Sequence, residues 1–227
     1  MIIAVIPARS GSKGFPNKNI ACVGGKTLLE HAIKVGLDSK CIDKVYVSTD
    51  SLEYLKIAMS AGAFSLGIRP DTLSGDDVST VDVLEFMLGH PDLVNVTHVV
   101  LLQPTSPIRT SHQIDDCVTM AIESRQSVVS IAKVEDPHPF KMKKIVDGKL
   151  VSYIDGCSSE TARQSLPSVY ELTGAIYVSS KENLLNNHSL FSNETKPYIQ
   201  DRFVNIDMKE DLDYLEFLLA AGKVEIL

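Results

Sequence analysis

Short apolar runs alternate with longer amphipathic segments along this chain. Residues 2–8, "IIAVIPA", are almost wholly apolar and rich in β-branched side chains, the pattern of a buried strand. "KTLLEHAIKVGLDS" (26–39) carries its apolar residues at helical spacing. "KVYVSTD" (44–50) predicts the next strand, and "LEYLKIAMSAG" (52–62) the next helix, ended by Gly62. A short "AFSLG" and a polar loop from Arg69 to Asp77 precede the helix "STVDVLEFMLGH" (79–90). "THVVLLQPTSP" (97–107) is the strongest central-strand candidate, stopped by Pro104 and Pro107. The helix "SHQIDDCVTMAIESR" follows, opened by a Thr110-x-x-Gln113 capping box, and then the strand "SVVSIAKVE" (127–135).

This rhythm predicts an α/β fold with a mostly parallel sheet and helices on both faces. It breaks between about 136 and 167, where "KMKKIVDGKLVSYI" reads as a hairpin turning at Asp147-Gly148. "GAIYVSS" (174–180) resumes the core. "DRFVNIDMKEDLDYLEFLLAAG" (201–222) predicts a short strand and a closing helix. The expectation is one domain over 1–227 with an excursion in its third quarter, of the kind that forms a lid, a dimer arm or a surface hairpin.

Composition narrows the function. A net charge of -7 argues against a broad phosphate-backbone footprint, and aromatics at 6% with no Trp give few stacking platforms, so no nucleic-acid partner is expected. No run approaches the ~18 apolar residues of a membrane span. Cys22, Cys41, Cys117 and Cys157 show neither metal-ligand spacing nor a disulfide framework. With no basic, apolar leader, the expectation is a cytoplasmic protein.

Against that acidic background the first loop stands out. "ARSGSKGFPNKN" (8–19) contains small residues and cations but no acid. "GGKT" (24–27) lacks the first glycine of a P-loop, since position 20 is Ile. Gly11 and Gly14 do not make a dinucleotide fingerprint. What remains is a strand followed by a small-residue loop whose backbone N–H groups suit an anion, with Arg9 and Lys18 placed to neutralise a triphosphate from two sides. A solvated turn with incidental cations is the competing reading. Loops leaving the carboxyl ends of parallel strands line the ligand crevice of such sheets. That makes the loops 9–19, 69–80 and 103–110 the candidate site.

"PARSGSKGFPNKNI", "LLQPTSPIRT", "ARQSLP", "GAIY" and "NIDMKEDL" occur in an order that resembles the CMP-sialic acid synthetases, the N-acylneuraminate cytidylyltransferases, over practically the whole chain. The resemblance implies a Rossmann-like nucleotidyltransferase fold. It also implies transfer of CMP from CTP to the anomeric hydroxyl of a sugar acid, with Mg²⁺ and release of pyrophosphate. By the same resemblance Arg9, Ser12 and Lys18 belong to the CTP phosphates and Asn19 to the nucleoside. Arg69 and the backbone at Val78, Ser79 and Thr80 belong to the cytosine and ribose. Gln103, Lys141, Arg163 and Tyr177 belong to the sugar, and the excursion to a homodimer contact.

Two departures qualify this. Where the resembling enzymes carry a D-x-D metal pair, this chain has Asn205 and Asp207. Asp207 is then the expected Mg²⁺ ligand and Asn205 a weaker candidate, while Asp207-x-x-Glu210 also reads as a helix capping box. Before "GAIY" stand Glu171 and Thr173, which either point away from the sugar or shift its choice. The expected substrate is N-acetylneuraminate, with legionaminate, or less readily Kdo, as alternatives. A catalytically silent nucleotide-binding regulator is the alternative of another class. His31 reads as structural, His112 as an exposed first-turn residue, His138 as a neighbour of the sugar, and Asp50 as either a crevice residue or a helix cap. No protein base is evident.

Overall fold

The structure is a computed structural model that describes residues 1–12, 14–134, 136–156 and 159–226. In chain order its elements are β1 (Ile2–Pro7), a small hairpin of β2 (Cys22–Val23) and β3 (Lys26–Thr27), α1 (Leu28–Leu37), β4 (Lys44–Ser48) and α2 (Leu52–Ser60). Next come α3 (Thr80–Leu88), β5 (His98–Leu101), α4 (Ser111–Ser124) and β6 (Val128–Val134). The hairpin β7 (Lys143–Val146) and β8 (Lys149–Ser152) precedes β9 (Val169–Ser180), α5 (Lys181–Asn187), β10 (Lys196–Gln200) and α6 (Lys209–Ala220).

Six strands form the main sheet in the order β10-β6-β9-β5-β1-β4. The pairs β1–β4, β1–β5 and β10–β6 are parallel, and β9 runs antiparallel to both β5 and β6. Alternation along β1 explains why its run is continuously apolar. Ala4 and Ile6 enter one cluster with Leu29, Ile33 and Ile114, whereas Ile3 and Val5 enter another with Leu84, Met87 and Leu184. The sheet is thus covered by α1 and α4 on one face and by α3 and α5 on the other. A third cluster joins Val23 and Leu28 to Val204, Ile206, Leu212 and Leu215, which seats α6 beside the small hairpin.

The helix starts follow from local chemistry. Thr27–Glu30, Ser79–Asp82 and Thr110–Gln113 form complete capping boxes, and Ser51 and Ser180 cap α2 and α5. The 147–148 turn has both residues at positive φ, 50° at Asp147 and 72° at Gly148, as a two-residue hairpin turn requires.

Several expectations need correction. The strand expected within 201–206 lies earlier, at Lys196–Gln200. It is an edge strand, and only there does the sheet tolerate Pro197 without an amide donor. The expected Asp207–Glu210 capping box is absent: the Asp211 carboxylate instead accepts from the amides of Asp207 (2.9 Å) and Met208 (2.8 Å). Thr173 does not reach any ligand crevice. Its side chain is wholly buried against the Ser130 hydroxyl (2.6 Å) and Gln200 Oε1 (2.6 Å), filling the irregularity where β9 departs from β6. The reading of Cys157 lies outside the described residues.

Candidate functional site

The loops that follow β1, α2 and β5 meet over the carboxyl ends of the parallel strands and enclose a crevice of about 570 Å³. Arg9, Ser12, Lys18 and Asn19 line it from the first loop. Arg69, Val78, Ser79 and Thr80 line it from the second, Gln103 and Thr105 from the third, and Asp207 from the start of α6. The side chains named for CTP therefore share one cavity.

Each wall is held from behind. Asp50 accepts from the Ser10 amide (2.9 Å) and hydroxyl (3.2 Å), while Ser51 does the capping of α2, so Asp50 is a brace for the first loop. The Asn19 carboxamide donates to the Arg9 carbonyl at 2.9 Å, and the Tyr54 hydroxyl donates to Asn17 Oδ1 at 3.1 Å. Burial pushes that phenol up to about 12, which keeps it a donor. The N-terminus of α3, at Ser79 and Thr80, faces the crevice and supplies further amide donors and positive potential.

The cations are already paired. Arg9 Nη1 lies 2.6 Å from Asp76 Oδ1, and Lys18 Nζ lies 2.7 Å from Asp207 Oδ1. Arg69 is buried, with its Nε 3.3 Å from Ser74 Oγ; burial lowers its pKa and the nearby Asp50 opposes that shift. Because α6 is capped by Asp211, the Asp207 carboxylate is left to the crevice, with 74% of its side chain exposed. Asn205 Oδ1 instead accepts from Ser106 Oγ at 2.7 Å. Among the described residues no group of three or more His, Cys, Asp or Glu could hold a metal ion.

A crevice with cations on two walls, the second of which also carries the N-terminus of α3, agrees with what the whole-chain comparison finds. Residues 3–221 match the family model described as "Cytidylyltransferase". The chain belongs to the cytidylyltransferase family. It is 35% identical over 215 residues to the N-acylneuraminate cytidylyltransferase of Escherichia coli O18:K1:H7, covering 94% of this chain and 50% of that protein. It is 33% identical over 217 residues to the CMP-N,N'-diacetyllegionaminic acid synthase of Legionella pneumophila, covering 94% of this chain and 93% of that one. The chain thus spans about half the length of the N-acylneuraminate relatives and nearly all of the legionaminic one. Among solved structures, a CMP-2-keto-3-deoxy-manno-octonic acid synthetase complexed with CTP superposes with a TM-score of 0.72 at 17% identity, over 97% of this chain and 99% of that one. That likeness extends the agreement to the fold.

The residues named for the sugar divide differently. Gln103 lines the crevice, but Lys141, Arg163 and Tyr177 do not. Tyr177 packs edge-on to Phe191, ring centroids 6.2 Å apart, because the alternation of β9 turns its ring toward the α3 and α5 face. Lys141 and Arg163 sit on exposed turns of the excursion. Arg163 lines a separate cleft of about 380 Å³ with Lys133 and His138. His138 caps its own turn and binds the Pro167 carbonyl at 3.0 Å, so it ties the two ends of the excursion together. His31 is buried against the Val23 carbonyl (2.8 Å), and His112 is exposed. One residue was missed entirely: Arg109, in "QPTSPIRT", is buried and donates to three carbonyls. Its place between Ile108 and the cap Thr110 reads as surface, and no sequence signal marks it.

Proposed function

We propose that this chain transfers CMP from CTP to the anomeric hydroxyl of a nonulosonic acid, with N-acetylneuraminate as the first expectation. The single observation that carries this reading is the convergence of Arg9, Lys18, Arg69, Gln103 and Asp207 on one crevice beneath the α3 N-terminus. The anomeric hydroxyl loses its proton to solvent as its oxygen forms a bond to the α-phosphorus, the bond from that phosphorus to the bridging oxygen breaks, and pyrophosphate leaves with the electron pair and the charge. Such chemistry asks chiefly for positioning and charge neutralisation. Arg9 and Lys18 exchange their carboxylate partners for phosphate oxygens, Arg69 and the 78–80 backbone hold the nucleoside, and Gln103 faces the acceptor.

A hard-oxygen cation suits the residues present. Asp207 offers an exposed carboxylate outside the helix cap, and one carboxylate with phosphates and water is an ordinary Mg²⁺ environment. Asp207 would hold the ion, which would neutralise charge on the leaving group; Asn205, engaged by Ser106, is the weaker candidate. Lys141 and Arg163 we assign to the acceptor site of a homodimer, reached across a subunit boundary. The support is an apolar surface on and beside the excursion. Ile145 is 76% exposed and Leu150 70%, and Leu172, Ile131 and Ile199 stand in register across three strands with the outer two exposed.

A second reading, synthesis of CMP-legionaminate, is supported by the 33% identity to the Legionella synthase over 94% of this chain. For Kdo the reading expects an acid where Gln103 stands. The protein incubated with CTP, Mg²⁺ and a panel of nonulosonic acids is expected to release pyrophosphate, fastest with N-acetylneuraminate. A faster legionaminate reaction selects the second reading. CTP binding without pyrophosphate from any acid would make the chain a nucleotide-binding regulator.

A further inference from the structure

Arg109 is the largest of the fully buried side chains among the described residues. Its Nη1 donates to the carbonyls of Gln103 (2.8 Å), Ser106 (2.8 Å) and Ala175 (3.1 Å). Its Nε and Nη2 are buried without a hydrogen-bond partner, and among the described residues no carboxylate lies within ion-pair distance of it. A charge buried without a counter-ion costs several kcal/mol on general grounds. An isosteric apolar residue would avoid that cost, so the guanidinium is doing something a methionine would not.

Its surroundings indicate what. The carbonyls it holds belong to the 103–106 loop, whose front wall is Gln103, and to the strand behind that loop. The same loop is pinned at its far end by Ser106 on Asn205, and it packs so closely on Gly174 that a Cβ there would lie 2.5 Å from Ser106 Oγ and 2.7 Å from Gln103 Oε1. Gly174 has φ +72°, so the loop and β9 fit only with the side chain absent. Arg109 therefore braces the Gln103 wall without lining the crevice itself; it contributes instead to a separate cleft of about 440 Å³ with Asp201 and Arg202.

We propose that Arg109 is a positioning residue of the acceptor half of the site: through the three carbonyls it holds, it fixes the loop that presents Gln103 to the acceptor. This rests on the function proposed above, but it is tested separately from turnover. N-acetylneuraminate is titrated calorimetrically into the CMP-loaded protein, and CTP into the free protein. Arg109→Met is expected to weaken sugar-acid binding at least about tenfold while CTP binding changes less than about twofold, because only the acceptor wall loses its support. Arg109→Lys, which keeps a cation but has a shorter reach to the three carbonyls, is expected to fall between the two. Should the Met variant not fold, the Lys variant carries the test with a loss of about threefold or more. A folded variant that binds both ligands as the parent does, or loses both equally, overturns the proposal, as does a parent protein that binds no sugar acid. A parent that binds the acid but releases no pyrophosphate overturns the proposed function and leaves the role of Arg109 intact.

Discussion

In the crevice, the cations that the sequence singles out meet within one chain. Arg9 and Lys18 each find a carboxylate at 2.6 and 2.7 Å, and three loops close around them. On the excursion, the cations expected for the acceptor lie on exposed turns outside that crevice, and the hairpin between them exposes Ile145 and Leu150 alongside its lysines. The comparison teaches that the two halves of the site are built by different means. The half proposed for the nucleotide is assembled by the strand ends of one sheet and stiffened by internal braces such as Asp50. The acceptor half, as proposed above, draws its remaining wall from a second subunit.

Removing the anchors of the nucleotide half tests this division most strongly. Lys18→Ala and Arg9→Ala are each expected to lower pyrophosphate release about 10²–10³-fold. The melting temperature should hardly move, because half-exposed ion pairs contribute about 0–1 kcal/mol. Rates near the parent's in both variants would remove the phosphate-loop assignment. The acceptor half is addressed by Ile145→Asp with Leu150→Asp. In sedimentation experiments the double variant is expected to be monomeric, to bind CTP as the parent does, and to turn over about tenfold more slowly. A protein that keeps its size, or a monomer with full activity, would break the comparison.

Finer cuts separate chemistry from capping at the start of α6. Asp207→Asn is expected to reduce turnover about tenfold, with partial recovery at higher Mg²⁺ and an unchanged melting temperature. Asp211→Ala is expected to do the reverse, costing about 1 kcal/mol of stability with turnover kept. If Asp207→Asn melts early at normal turnover, Asp207 belongs to the fold and not to the site. The smallest effect is expected from Glu171→Gln, whose exposed side chain should alter sugar preference by less than about twofold.

The pattern of apolar runs located the central strands, because β1 and β5 are buried on both faces and leave a continuous signature. It did not reveal α5, a short helix whose packing rests on Leu184, nor the placement of β10, where Pro197 disguises an edge strand. The three loops of the crevice were legible because chain topology alone sends them to one end of the sheet. Which acid caps α6 was not, since Asp207, Glu210 and Asp211 stand close together and only the backbone direction selects Asp211. Arg109 was hidden for a similar reason. Nothing in its neighbours' types says that the chain folds back over it.

The Lys18–Asp207 bond joins residues 189 positions apart. While this polypeptide is synthesised, its basic loop appears well ahead of its acidic counterpart and waits until α6 has docked. On the function proposed above, a fluorescent CTP analogue is then expected to report the docking of α6 while remaining blind to chains arrested before residue 207.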